Sequence, residues 1–321
     1  MLPEHFLPSK DRTNKKPKKQ LKASTQRTIS LCGMSAPASI ILFIFSYLPI
    51  AGLIIAFKDF RYDKGFLGSE WVGFENFKFF FKTNDAWIVM RNTVGLNLLF
   101  IFTTLILSLA VAFMINEIRK RVTIKIVQTI LFFPYFLSWV VAGYLLYAYL
   151  HHDYGILNQV LHFLGVKNIP WYSRSQYWPY ILTFMYAWKN VGYFSVIYYA
   201  AIIGVDETYY EAARLDGASK WQMTVHITLP MIRGVVICMV LLQIGKIMYS
   251  DFGLFFQLTR DMGALYATTD VLDTYIYRSL RILGDVGISS AVSCFQAVVG
   301  FALVFTSNLV VRKIDSDSAL F

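Results

Sequence analysis

The sequence predicts an all-α membrane protein with six transmembrane helices, and three observations carry that expectation. The first is composition. Of 321 residues, 56% are apolar and 16% charged, where a soluble chain has roughly 45–50% and about 25%; mean hydropathy is +0.49. The second is run length. Nearly charge-free stretches occupy residues 31–57, 92–115, 126–150, 177–203, 227–249 and 288–311, and each reaches the ~20 residues a helix needs to cross the hydrocarbon core. The third is charge placement. Segments 1–30, 116–125, 204–226 and 312–321 hold 16 Lys and Arg in 73 residues, against 11 in 98 for 58–91, 151–176 and 250–287. Cytoplasmic loops are enriched in Lys and Arg, so the N- and C-termini are both expected in the cytoplasm.

Residues 1–30 carry eight Lys or Arg, including Lys15, Lys16, Lys18 and Lys19. They read as a disordered basic cytoplasmic tail that orients the first helix, not as a nucleic-acid site. The apolar run that follows is longer than the roughly 7–15 residues of a signal peptide core, so it is expected to be retained. Residues 31–311 then form the transmembrane domain and 312–321 a short cytoplasmic tail. The outer loops are aromatic, with Trp71, Phe74, Phe77, Phe79, Phe80 and Phe81 in the first and Trp171, Tyr172, Tyr177 and Trp178 around the second; interfacial anchoring accounts for them. Cys32, Cys238 and Cys294 lie in apolar runs, behave as small hydrophobes and imply no disulfide framework.

Catalytic signatures are missing from the sequence. Gly245-Lys246 resembles the end of a phosphate-binding loop, but Val240 and Ile247 stand where Gly and Ser or Thr are needed. His151-His152-Asp153 lacks a further cluster to complete a metal site, and three adjacent residues do not converge on one ion. No nucleophile elbow, zinc-protease pair or paired-carboxylate motif occurs. The chain is therefore not expected to be an enzyme, nor to bind a metal or cofactor itself.

Residues 206–230 are the informative stretch. Asp206 and Glu207 place negative charge where a helix over 208–215 begins. Asp216-Gly217 ends it, since Gly accepts the left-handed conformation of a C-terminal cap. Ser219 precedes Gln222 by three residues, the spacing of a capping box, so a second helix is expected from Lys220, with Pro230 kinking or restarting it. Tyr209, Tyr210, Ala212, Ala213 and Leu215 give the short helix an apolar surface suited to a partner protein.

Glu211-Ala212-Ala213, three residues, Gly217, nine residues, then Ile227-Thr228-Leu229-Pro230 meets every fixed position of the pattern EAA-x3-G-x9-I-x-L-P. The chain thereby resembles the membrane subunits of bacterial binding-protein-dependent ABC importers over about residues 92–311. The stretches YLPIAGLIIAFKDF, WVGFENF and DETYYEAARLDGASKWQ are similar to permeases of polysaccharide and aldouronate uptake. The resemblance implies a type I ABC importer permease fold in the bacterial cytoplasmic membrane. Glu211, Ala212, Ala213, Gly217, Ile227, Leu229 and Pro230 would then form a cytoplasmic coupling helix and its continuation, docked on an ATP-binding subunit. Implied partners are a second permease subunit, two ATP-binding subunits that carry ATP and Mg, and an external solute-binding protein; a homodimer remains open.

Ionisable groups inside spans face a partner or an aqueous cavity, which singles out Lys189 and Lys246. Asn190, Tyr193 and Gln243 lie nearby in sequence, and Gln243 and Lys246 share a helical face by their i,i+3 spacing. These five residues are the expected substrate pathway. Two lysines favour an acidic, uronate-containing oligosaccharide. The plainer alternatives are that Lys246 snorkels or pairs with Asp251, and that Lys189 is satisfied within the bundle. Import of amino acids or peptides stays open as an alternative, as does ion-coupled secondary transport, for which internal repeats and broken helices would be expected.

Overall fold

A computed structural model describes residues 18–314. The chain divides into two units, Met1–Ile54 and Ile55–Phe321. In the first, helix α1 (Lys18–Leu42) starts well inside the segment expected to be a disordered tail. Lys, Gln, Leu and Ala at its start are good helix formers, which accounts for the difference. The rest of that tail, with Lys15 and Lys16, lies outside the described residues, as does most of the C-terminal tail. The first apolar run passes through a π turn (Phe43–Tyr47) and a 3-10 segment (Leu48–Phe57). Its side chains are exposed almost throughout, as at Met34, Phe43 and Phe45; a helix apolar on every side is one built for lipid.

The second unit opens with a hairpin of β1 (Lys58–Asp59) and β2 (Glu70–Trp71), with Lys58 opposite Trp71. Lys58 is buried, and its ammonium donates to the carbonyls of Phe66 at 3.2 Å and Leu67 at 3.0 Å. Phe57, Trp71, Phe74 and Phe77 pack ring on ring beside α2 (Glu75–Lys82). Asn76 ties that helix to the hairpin by donating to the carbonyls of Ala56 and Lys58.

Helix α3 (Asn84–Asn116) is the long axis of the bundle, 33 residues and hence about 50 Å. Thr104, Ser108 and Ala112, four apart, are buried along it, and small side chains on one face let a neighbour approach closely. That neighbour is α7 (Trp178–Ile202), which also stacks Tyr186 on Phe100 at 4.6 Å. Helix α13 (Val286–Ile314) closes the chain.

The third and fifth predicted spans are not continuous. After α4 (Arg121–Phe132) comes a 3-10 turn (Phe133–Phe136), and α5 (Trp139–Leu150) leaves at 95°. Pro134 has no N–H to continue the ladder, Leu137 is extended, and the Ser138 hydroxyl caps α5 by accepting from Val141 N. A short helix α6 (Ile156–Phe163) follows in the loop. Downstream of α7 come α8 (Glu207–Leu215) and α9 (Lys220–Met223), then a π turn (Thr224–Thr228), Pro230, and a 62° bend at Ile232 into α10 (Arg233–Ile244). The chain turns again over residues 245–250 before α11 (Phe252–Thr259), and α12 (Leu272–Arg281) precedes α13. Among the described residues, three helices are long and apolar enough to cross a membrane, and the two bent pairs bring the number to five. α7, the expected fourth span, is long enough at 25 residues, but nine Trp, Tyr and Phe together with Lys189 and Asn190 hold its apolarity below that of the others.

Helix α4 meets α7 with no room to spare: a Cβ on Gly192 would lie 1.9 Å from the Leu131 carbonyl oxygen. Gly192→Ala is expected to lower stability by about 2 kcal/mol or more through overpacking, read as a fall in the thermal unfolding midpoint of the purified protein. Gly95→Ala, where an added Cβ meets nothing within 4 Å, is expected to leave the midpoint nearly unchanged. Equal midpoints for the two variants would refute the close approach.

Candidate functional site

The elbow at 206–230 is ordered by local bonds at every step. Asp206 caps α8, its Oδ1 accepting from Thr208 N at 2.9 Å; that bond holds the Asp206 carboxyl below the usual carboxylate range. At the other end Gly217 takes φ +77°. Ala218 N donates to Ala213 O at 2.9 Å and Gly217 N to Arg214 O at 3.1 Å, the paired bonds of a Schellman cap. Ser219 and Gln222 complete a capping box on α9. Two longer-range contacts lock the elbow in place. The Tyr210 hydroxyl lies 2.9 Å from Thr228 Oγ1 across the turn, and Lys220 pairs with Glu117 just beyond the end of α3.

Despite this order, the elbow exposes apolar surface: Leu215 is 90% exposed and Trp221 75%. Tyr209, Glu211, Ala212, Leu229 and Pro230 are also exposed, whereas Tyr210, Ala213 and Ile227 are half-buried. Beside it Asn116, Glu117, Tyr210, Arg214 and Lys220 help line a cavity of about 610 Å³.

The expected pathway residues gather at two breaks in the chain, the first at Pro134–Ser138 and the second at the turn over residues 245–250 that follows α10. Lys189 is held by the first: its ammonium donates to the carbonyls of Tyr135, at 3.2 Å, and of Leu137, and sits 4.9 Å over the Trp139 ring. Lys189 is thus satisfied inside the bundle. Asn190 donates back to Tyr186 O, and Tyr193 stacks on Tyr135 at 4.7 Å. At the second break Gln243 has its amide oxygen and nitrogen screened from solvent with no protein partner. α10 ends at Ile244, so Lys246 stands in a following turn instead of sharing a helical face with Gln243. Lys246 is exposed, and among the described residues it forms no ion pair with Asp251.

Asp251 has other work, which sequence reasoning missed. Its Oδ2 accepts from Trp139 Nε1 at 2.5 Å while its Oδ1 caps α11 through Leu254 N. Trp139 meets Asp251 and Gly253, Gly143 lies against the backbone of Gln257, and Tyr147 lies under Arg260. Contacts that ascend together along both chains mean that α5 and α11 run parallel, each starting from one of the breaks. The recoverable signals were Pro134 inside an apolar run and Asp251 one residue ahead of a helix.

Beyond α11 a second polar cluster is buried. Arg278 pairs with Asp270 and, at 3.2 Å, with Asp261. Burial pushes the Asp270 carboxyl up and Arg278 opposes the shift. Asn92 donates to three carbonyls of this region, those of Tyr266, Ala267 and Asp270. At the far end of α5 the His151 ring accepts from Asp153 N and Tyr154 N, closing its own loop.

A helical bundle with lipid-suited surfaces, broken spans carrying polar groups at the breaks, and a capped elbow with exposed apolar side chains defines a membrane transport subunit with a built-in docking element. The chain belongs to the family of binding-protein-dependent transport system inner membrane components, which it matches over residues 103–316, and its fold is that of a type I ABC importer permease. It is 34% identical over 284 residues to Protein LplB of Bacillus subtilis (strain 168), covering 88% of each chain. It is 33% identical over 287 residues to the polygalacturonan/rhamnogalacturonan transport system permease protein YteP of the same organism, again covering 88% of each. Among solved structures it is similar to a chain of a bacterial ABC transporter involved in the import of the acidic polysaccharide alginate, with TM-score 0.85, 30% identity, and coverage of 92% of this chain and 100% of that one.

Lys189→Met removes the only side-chain donor to the Tyr135 and Leu137 carbonyls among the described residues. A carbonyl left without a donor away from water costs about 1–3 kcal/mol, so thermal stability is expected to drop, with partial recovery in Lys189→Arg. A Met variant as stable as the parent would show that the ammonium does not hold the break.

Proposed function

We propose that this chain is one permease subunit of an importer for oligosaccharides, acidic ones among them, driven by ATP hydrolysis on separate cytoplasmic subunits. The observation that carries the reading is the elbow at 206–230. A segment capped at both ends of its short helix and pinned through Tyr210 and Lys220, yet exposing Leu215 and Trp221, is built to meet a partner. Glu211, Ala212, Ala213 and Gly217 form the docking surface, and Ile227, Leu229 and Pro230 carry its movement through the bend at Ile232 into α10. The assembly has a second permease subunit, two ATP-binding subunits that hold ATP and Mg, and an external solute-binding protein. Both termini of this chain lie in the cytoplasm.

The acidic substrate class is supported by the polygalacturonan and alginate systems to which the chain is similar and by the intramembrane lysines. Of the five pathway residues, Gln243 and Lys246 keep unspent hydrogen-bonding capacity and are the stronger candidates for substrate contact. Lys189, Asn190 and Tyr193 shape the path from the other break.

The elbow is tested by reconstituting Gly217→Val and Glu211→Lys with the partner subunits. A side chain at φ +77° is strained by roughly 1 kcal/mol or more, and Glu211→Lys reverses an exposed charge. Both variants are expected to insert normally and to lose ATPase-subunit binding, or to uncouple substrate-stimulated hydrolysis from uptake. Normal coupling in both would sink the docking role. Orientation is tested in a background lacking Cys32, Cys238 and Cys294. A cysteine at Leu215 is expected to label only from the cytoplasm and one at Ser173 only from outside; the reverse pattern would invert the topology.

A further inference from the structure

Two consecutive non-glycine residues, Arg260 (φ 56°) and Asp261 (φ 50°), adopt the left-handed backbone conformation, which L side chains do not favour. The turn separates the pair. Asp261 points inward, where its Oδ1 accepts from Tyr266 OH at 3.0 Å and from Arg278 Nη1 at 3.2 Å. Arg260 points the other way, its guanidinium 4.2 Å from the Tyr147 ring centre and 5.9 Å from that of Tyr144. Arg260 is exposed, and among the described residues no protein acceptor takes a hydrogen bond from it. The strained turn therefore holds a cation over an aromatic ring, with its donors free.

The surroundings suit a sugar. Arg260, Tyr144, Gly143, Val140, Phe256 and Gln257 line a cavity of about 190 Å³, suited to one sugar residue rather than a chain. Tyr144 is 66% exposed, so its ring is free to stack, and the Gln257 amide has no side-chain hydrogen bond within the protein to give up. The place is distinct from the pathway residues at the breaks. Arg260 lies at the far end of α11 and Tyr147 one turn from the end of α5, both remote from Trp139 and Asp251, and with cytoplasmic termini that end is the external one.

We propose that Arg260 and Tyr144 form an entry subsite for one carboxylated sugar residue. The guanidinium takes the carboxylate through paired N–H donors, a geometry that lysine does not reproduce. The Tyr144 ring packs against the C–H face of the sugar, and Gln257 serves its hydroxyls. This subsite rests on the reading of the chain as an oligosaccharide importer and adds to it a point of charge selection ahead of the membrane path.

The test is competitive uptake by the full complex, with its binding protein, in proteoliposomes supplied with an equimolar mixture of trigalacturonate and its uncharged methyl-esterified counterpart. The binding protein's own preference is common to all variants and divides out of the ratio. Arg260→Gln is expected to lower the acidic-to-neutral uptake ratio about tenfold, as loss of a paired charge-assisted contact implies, and Arg260→Lys to fall between it and the parent. Tyr144→Leu should reduce uptake of both probes with the ratio nearly kept. An unchanged ratio in Arg260→Gln, or an equal fall for both probes, would overturn the subsite and leave only a structural role. Loss of the second permease subunit on purification, with the ratio unchanged, would reassign Arg260 to a subunit contact and equally overturn it. If the unaltered complex carries neither probe, the oligosaccharide reading itself fails, an outcome distinct from failure of the subsite alone.

Discussion

Lipid offers no hydrogen bonds, so every backbone group freed by a break in a span must find a partner inside the protein. Most of this structure follows from how that demand is met where Pro134 stops α4. The carbonyls of Tyr135 and Leu137 are taken by Lys189 from a different helix, and the first turn of α5 is capped by Ser138. The same solution recurs with amides wherever the backbone is irregular. Asn92 serves three carbonyls near Asp270, Asn76 serves two at the hairpin, and Asn158 bonds both carbonyl and N–H groups between His152 and Ile169. Long polar side chains reaching from regular helices into irregular segments permit broken spans in a chain this apolar.

What could be read in the sequence depended on the range of the interaction. The elbow was legible because its determinants are local: Asp206 bonds two residues on, Ser219 and Gln222 are three apart, and Gly217 needs only its own φ. The long apolar runs were legible for the same reason, since run length is local. The break at Leu137 was not, because Pro134 alone does not say whether a helix kinks or stops. The answer depends on Lys189, more than 50 residues away, being there to take the carbonyls. Read without its partner, Lys189 is an isolated charge in a span and suggests substrate; with Tyr135 and Leu137 in place it is first a structural donor. Arg278 with Asp270 and Asp261, and Trp139 with Asp251, were hidden for the same reason: pairing between separate segments leaves no period in the sequence.

The elbow and the turn that holds Lys246 are joined by one helical element. α9 continues through the π turn and Pro230 to Ile232, and α10 carries on to Gln243 and the turn with Lys246. This element is bent by 62° at Ile232, with no loop between the elbow and the turn over residues 245–250. The half-buried Tyr210–Thr228 contact and the exposed Lys220–Glu117 pair differ in kind. The first makes the elbow one body, while the second, solvated and therefore weak, adds little to its hold on α3.

The parallel pairing of α5 and α11 removes a degree of freedom. Trp139 and Asp251 pin the two helices at one end, Tyr147 and Arg260 at the other, and Gly143 lies against the backbone of Gln257 between them. Two broken spans would ordinarily give two independent hinges. Here α5 and α11, which each follow an interruption in the chain, are tied at both ends and form one plate. A tilt of α11 is therefore a tilt of α5 as well, and neither helix can hinge without the other.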